Sequence, residues 1–358
     1  MRIGVNLGYW GRGTTGADQV ALAQAADRLG YDSVWVAEAY GSDSPSMLAW
    51  IGALTEHVDL GSAVMQIPGR TPAMTAMTAT TIDTMSGGRF RLGLGVSGPQ
   101  VSEGWHGVPF RHPLGRTRDY VEIVRAAVRR DTVSHDGPYY PLPLPGGPGK
   151  ALKLGSRPVR ADIPVYLAAV GPKNLELTGE VADGWLAIFF SPEHAGDLLA
   201  ALETGRRRGG RGPIEHAMTG FDVVATTPVV LVDDVAAAAD HVRDYCALYI
   251  GGMGSREQNF YNQLACRMGF EDAAARIQDL YLAGRHREAA AAVPLEFIDE
   301  TALLGSPARV ASRLGRYEAA GVTTLSVAVG GGMTRDEALT TLDVVARVAG
   351  LEPPGPAA

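Results

Sequence analysis

The strongest constraint on this chain is a near-unbroken alternation of short strand-like and longer helix-like patterns. Ile3–Leu7 is an apolar run, and Ala17–Leu29 carries apolar residues at helical spacing up to Gly30, where a C-terminal cap belongs. Ser33–Ala37 reads as a second strand with Pro45–Leu54 as its helix, then Val58–Met65 with Thr71–Met85, and Phe90–Leu94 with Thr117–Arg129. After an interruption come Ile163–Ala169 with Lys173–Ala182, Trp185–Phe190 with Glu193–Arg208, and Thr219–Val232 with Val235–Tyr249. A second interruption precedes the helix Pro307–Ala320, the strand Thr323–Val329 and the helix Arg335–Val348. Parallel strands need helical crossovers, so the pattern predicts an α/β fold with a parallel sheet. Eight strands, each tied to a helix, fit a closed (β/α)8 TIM-type barrel. An open doubly wound sheet is the alternative. The lack of Gly-x-Gly-x-x-Gly after the first strand weakens its dinucleotide-binding version.

The expected organisation is one barrel domain over 1–350 with insertions at about 131–162 and 251–293. The first holds Pro138, Pro141, Pro143, Pro145, Pro148 and Pro158, so it reads as a semi-rigid surface excursion; the second reads as helical. The tail 351–358 (LEPPGPAA) is expected to be disordered.

Composition removes several function classes. A net charge of −7 leaves no basic footprint for nucleic acid. Cys246 and Cys266 are the only cysteines and have no metal-type spacing. No apolar run is long enough to span a membrane, and Gly4, Asn6 and Gly8 interrupt any secretory leader. A cytoplasmic location is the expectation.

In such a barrel, residues just past the strand ends share one mouth. The strands deliver Tyr9 and Trp10, Glu38 and Tyr40, Gln66, the Ser97–Trp105 loop, Gly171 to Asn174, Phe189 and Phe190, and Gly330 to Gly332. That set is aromatic and lacks clustered metal ligands or a Ser/His/Asp triad. It suits a flat organic cofactor that brings its own reactivity. Ala169, Val170, Gly171, Pro172, Lys173 and Asn174 pass from strand to helix, where free N–H groups favour an anion. The same run also fits an ordinary βα turn with proline at the helix start. Glu38, after an apolar strand, either binds something or is solvated.

Particular motifs carry a family resemblance over nearly the whole chain. They include NLGYWG at Asn6–Gly11, AEAYGSD at Ala37–Asp43, LGSAVMQIPGRTP at Leu60–Pro72 and SGGRFRLGLGVSGPQVSEGWHG at Ser86–Gly107. RTRDYVEIVR at Arg116–Arg125, DIPVYLAAVGPKN at Asp162–Asn174, ADGWLAIFFSPE at Ala182–Glu193 and YIGGMG at Tyr249–Gly254 extend the match. Together they resemble the luciferase-like monooxygenase superfamily, and within it the actinobacterial oxidoreductases that use the deazaflavin coenzyme F420. The resemblance implies a cofactor in the C-terminal mouth and a cis peptide at Ala63–Val64 behind its ring. It also implies Glu38 and Gln66 at the ring, Ser97, Gly98, Val101 and Glu103 along the ribityl side, and Ala169 to Asn174 at the phosphate. Relatives that oxidise sugar phosphates carry an acid followed by histidine after strand two and a glutamate in the strand-four loop. Here Ala39 follows Glu38 and the loop reads Gly98, Pro99, Gln100, which disfavours that reaction.

The chemistry implied is hydride transfer between the cofactor and a small, hydrophobic organic substrate, reducing C=C, C=N or C=O or the reverse. Tyr9, Trp10, Tyr40, Trp105, Phe189 and Phe190 are the expected apolar slot, and Glu38 or Tyr40 the expected proton donor. An FMN-dependent monooxygenase on the same barrel is the first alternative, and a non-catalytic flavin-binding protein the second. Tyr139, Tyr140, Phe260, Tyr261 and Phe270 in the insertions, which a lone barrel would bury poorly, point to a homodimer.

Overall fold

A computed structural model describes residues 1–8, 14–213, 215–329 and 332–355. Its strands are β1 (Arg2–Gly8), β2 (Ser33–Val36), β3 (Asp59–Ser62), β4 (Met65–Gln66) and β5 (Phe90–Gly95). They continue as β6 (Val165–Ala168), β7 (Gly184–Ile188), β8 (Asp222–Val230), β9 (Leu303–Leu304) and β10 (Thr324–Ala328). Every pairing is parallel, and β10 joins both β1 and β8, which closes the sheet into an eight-strand barrel. The two-residue strands lie off that ring: β4 pairs with the end of β5, and β9 with Val229 and Val230 of β8. The third strand, read from sequence as one piece, is split into β3 and β4, and the break falls at Ala63–Val64, whose peptide is cis.

Alternation along each strand sorts the two faces. Outward residues such as Val5, Leu60, Leu92, Val165 and Leu325 join the helices in the main core. Inward, Trp35 meets Tyr166 edge-on at 5.2 Å and packs with Leu186 and Val224. Gly61 and Gly184 make this possible. A Cβ on Gly61 would fall 2.1 Å from the Trp35 ring, and one on Gly184 2.4 Å from the Tyr166 ring. Below this layer, Arg91 bridges Asp32 (2.9 Å) and Asp59 (2.7 Å), while Arg2, Tyr166 and Thr324 all reach the Asp222 carboxylate. This polar cluster, buried at Arg91 and Asp222 and open to solvent at Arg2, closes the N-terminal end of the barrel.

The first insertion is an extended strap, joined to itself by antiparallel bridges Val133–Leu152 and His135–Leu142. Tyr140 meets Tyr120 edge-on at 5.6 Å, and Arg116 lies 5.9 Å over both the Tyr139 and Tyr140 rings. The second insertion contributes helices Phe260–Arg267, Glu271–Leu282 and His286–Ala291, which with the following helix Leu295–Thr301 share a second core with helix Val235–Ala247, Phe189 and Val230. There Phe270 packs on Phe297 and Tyr261 on Tyr249. The insertion aromatics therefore find partners within the chain. In the tail, Leu351 packs on the main core and the Glu352 carbonyl lies against Gly30, and 351–355 has no regular secondary structure. Residues 356–358 lie outside the described residues.

Candidate active site

The C-terminal mouth is built around Glu38, just beyond β2. Its side chain is 7% exposed, and four donors converge on it. Gln66 N (2.9 Å) and Arg70 Nη1 (2.5 Å) reach Oε1; Ser44 N (3.1 Å) and Arg70 Nη2 (3.2 Å) reach Oε2. Arg70 also bonds Asp43, whose own carboxylate caps helix Ser44–Gly52 at Ser46 N. Glu38 is thus a clamp that ties β2, β4 and two helices together. Both carboxylate oxygens accept from these donors, two on each.

The cis peptide lies between Ala63 and Val64, and both side chains pack onto the inner barrel layer together with Ala168. A Cβ on Gly95 would come within 2.6 Å of Val64 Cγ2, so the glycine lets Val64 lie flat across the top of the barrel. The result is a small, apolar floor at the mouth. Beside it Gln66, 4% exposed, donates Nε2 to the Ala39 carbonyl at 2.5 Å, while its Oε1 is buried with no hydrogen-bond partner. A flat floor next to a buried, unsatisfied acceptor fits a planar ring carrying N–H groups, which is what a deazaflavin or flavin presents.

After β5 the chain turns through Ser97, a non-glycine residue at φ 60°, and Gly98 into the short helix Pro99–Gly104 that carries Val101 and Glu103. Glu103 is exposed and accepts from Phe110 N at 2.9 Å, so it pins its own loop. Trp105 is 66% exposed and Tyr40 54%, both at the rim. His106, which sequence reasoning left unassigned, rests on the turn Ile67–Gly69 beside Gln66, and its Nε2 is also buried without a partner.

On the β6 side, Ala169 is buried and its carbonyl accepts from Trp185. Gly171 caps helix Pro172–Val181, with Lys173 exposed in the first turn and Asn174 beside it. The Val170 carbonyl accepts from Arg267 at 3.0 Å. This arginine comes from the second insertion, and nothing in local spacing marks it.

Of the expected aromatic slot, Phe189 and Phe190 are both buried: Phe189 sits at φ 50° inside a nest of Tyr245, Tyr249 and Phe297, and Phe190 packs on Trp185 and Tyr317. Tyr9, Trp10, Gly330 and Gly331 lie outside the described residues. Among the described residues, one set could gather three metal-type ligands, Asp119, Glu122 and His135, at the first insertion. Asp119 faces His135 Nε2 (3.3 Å) and Glu122 faces Nδ1 (4.0 Å), so opposite ring edges are engaged, as in a clasp.

Comparison with known proteins places this geometry. A Mycobacterium tuberculosis protein whose name is that of a coenzyme F420-dependent oxidoreductase is 45% identical over 335 residues, 92% of this chain and 95% of that one. The F420-dependent tetrahydromethanopterin reductase of Methanopyrus kandleri superposes with a TM-score of 0.81 at 21% identity, covering 98% of this chain and 100% of that one. A Baeyer–Villiger monooxygenase of Pseudomonas putida in complex with FMN superposes at 0.68 with 17% identity, covering 99% and 100%. The two structures share the fold alone. The luciferase-like monooxygenase family matches residues 1–324, and the chain belongs to it.

Proposed function

We propose that the chain is a coenzyme F420-dependent oxidoreductase acting on a small, hydrophobic organic substrate. The observation that carries this is the floor of Ala63, Val64 and Ala168 with the unsatisfied Gln66 Oε1 beside it, in a chain 45% identical to the mycobacterial protein. When bound, the deazaflavin supplies a hydride donor or acceptor at one ring carbon. Val64 supports the ring's flat face, and Gln66 borders it. Ser97, Gly98 and Val101 line the ribityl side, and the first turn of helix Pro172–Val181 with Lys173 takes the phosphate. Tyr40, exposed at the rim, is the remaining candidate to give or take a proton at the substrate, with Trp105 the wall of its slot. Excluding water is the task of the 97–112 loop.

Titration of the purified protein with coenzyme F420 and with FMN, followed by fluorescence, tests this reading. Micromolar or tighter F420 binding, weakened several-fold in Lys173→Glu by charge reversal, is expected. Tight FMN binding with undetectable F420 binding would instead favour the monooxygenase reading. F420 binding without reduction of any C=C, C=N or C=O acceptor would favour the non-catalytic one.

The same reading includes a homodimer working in the cytoplasm. No helix among the described residues is long and apolar enough to cross a membrane. The support for a dimer shifts from the insertions to neighbouring helices Ser44–Gly52 and Pro72–Met85, which expose Trp50, Met74, Met77 and Met85.

A further inference from the structure

We propose that Asn6 and Thr226 form a polar pole on the floor of the mouth that holds the carbonyl oxygen of a neutral substrate. The inference deepens the F420 reading and rests on it. The strand registers locate the pair. Followed around the ring, they set Asn6, Ala63, Ala168 and Thr226 at one level, one from every second strand. The level beneath is Trp35, Gly93, Leu186 and Ser326, all buried. Ala63, Ala168 and Thr226 face the bore of a closed barrel and are nonetheless partly exposed, as is Ala328 one level higher. A recess entering from the C-terminal end accounts for this, and its bottom is the Asn6 layer. Half of that bottom is the apolar pair Ala63 and Ala168, and the other half is polar.

Inward layers of such barrels are ordinarily filled by Val, Ile and Leu, and an unpaired polar group at such a depth is costly. The polar half nevertheless offers donors with nothing to receive them. Asn6, 9% exposed, accepts from Gly8 N at 2.8 Å through Oδ1, which fixes the amide with Nδ2 turned towards Thr226. One Nδ2 hydrogen meets Thr226 Oγ1 at 3.4 Å, and the second has no partner among the described residues. Thr226 accepts that bond, so its own hydroxyl hydrogen is free, and no described residue takes it. Ser326, its register partner, does not, because the Ser326 Oγ is buried without a hydrogen-bond partner. Two uncharged donors therefore stand side by side at the bottom of the recess. A carbonyl oxygen, with two lone pairs and no net charge, satisfies both. A carboxylate would need a cation there, and neither residue supplies one. With the cofactor ring on the Ala63, Val64 and Ala168 half, the pair is left to the second reactant. When hydride from reduced deazaflavin adds to the carbonyl carbon, its electron pair forms the new C–H bond. The C=O π pair moves onto the oxygen between the two donors, and a proton from water completes the alcohol.

The test uses the F420-loaded protein with matched pairs of cyclic ketones and their methylidene analogues, from small rings to large. Equilibrium binding should favour at least one ketone over its analogue by about tenfold, and the infrared C=O stretch of that ketone should fall on binding. Asn6→Leu and Thr226→Val should each lose most of the preference and return the stretch towards its free value. Both should keep the wild-type affinity for the methylidene analogue and for F420. Circular dichroism and melting temperature report whether each variant folds. If Asn6→Leu does not, Thr226→Val and the wild-type preference still decide. No ketone preferred over its analogue, a preference that survives in the folded variants, or a loss of F420 affinity in them would overturn the proposal while leaving the F420 reading intact. A wild type that binds FMN but not F420, and prefers ketones when loaded with FMN, would overturn the F420 reading and keep the carbonyl pole. Binding of neither cofactor would end both.

Discussion

Glu38 shows how much a single side chain at a strand end can organise. With one carboxylate it joins the N–H groups of Ser44 and Gln66 and the guanidinium of Arg70, which lie 6, 28 and 32 residues further along the chain. Glu38→Gln would replace an acceptor oxygen by an amide N–H, leaving Arg70 half-matched in a largely buried position. Hydrogen bonds to a charged group are worth about 1.5–3 kcal/mol, so a loss of about 2 kcal/mol and a lower melting temperature are expected. Turnover at saturating cofactor should survive, because the carboxylate has no oxygen free for chemistry. A fall in turnover of about 100-fold at saturating cofactor with unchanged stability would return Glu38 to the proton-donor role. None of the network was visible from sequence, since its donors are dispersed along the chain. The residue type and its place after SVWVA were visible; its occupation was not.

At the scale of elements, most of the architecture follows from periodicity. Apolar runs of four to six residues became β2, β5 and β7 almost as read, and Thr15 with Asp18 closes a capping box where helix Gly16–Leu29 begins. Periodicity carries no information on single dihedrals, such as that of the left-handed Phe189 (φ 50°) just after β7, or on which distant rings, here Tyr245 and Tyr249, such a residue meets. Helix and strand are also stitched by side chains. Near the end of that helix Asp27 accepts from Glu56 N, His57 N and Val58 N at 3.0, 2.8 and 2.7 Å, fixing the approach to β3. Burial acts to raise its pKa, but the three N–H donors outweigh it and hold the carboxyl below its ordinary value of 3.8. A depressed folded-state pKa stabilises the native state above the unfolded value and loses that contribution as pH falls through it. The gap in urea midpoint between wild type and Asp27→Asn should therefore be constant from about pH 7 to 5 and shrink below about pH 4. A gap that widens on acidification would show that the N–H donors do not favour the charged form.

For the whole molecule, the exposed methionines decide what the barrel meets first. Met74, Met77 and Met85 recur along one side of helix Pro72–Met85, with Trp50 on the neighbouring helix, at 51, 52, 62 and 46% exposure. Sedimentation at micromolar concentration should give a dimer, and Met77→Lys, which touches no core, should shift it towards monomer without lowering the melting temperature of the isolated subunit. A monomeric wild type would leave that face without a role in assembly. At the other extreme of the molecule lies the polar plug of Arg2, Arg91, Asp32, Asp59 and Asp222. Between that plug and Val64 the bore is filled by Trp35, Tyr166, Leu186 and Val224, so the barrel is a packed column rather than a channel, and anything seated against Val64 is approached from the C-terminal end alone.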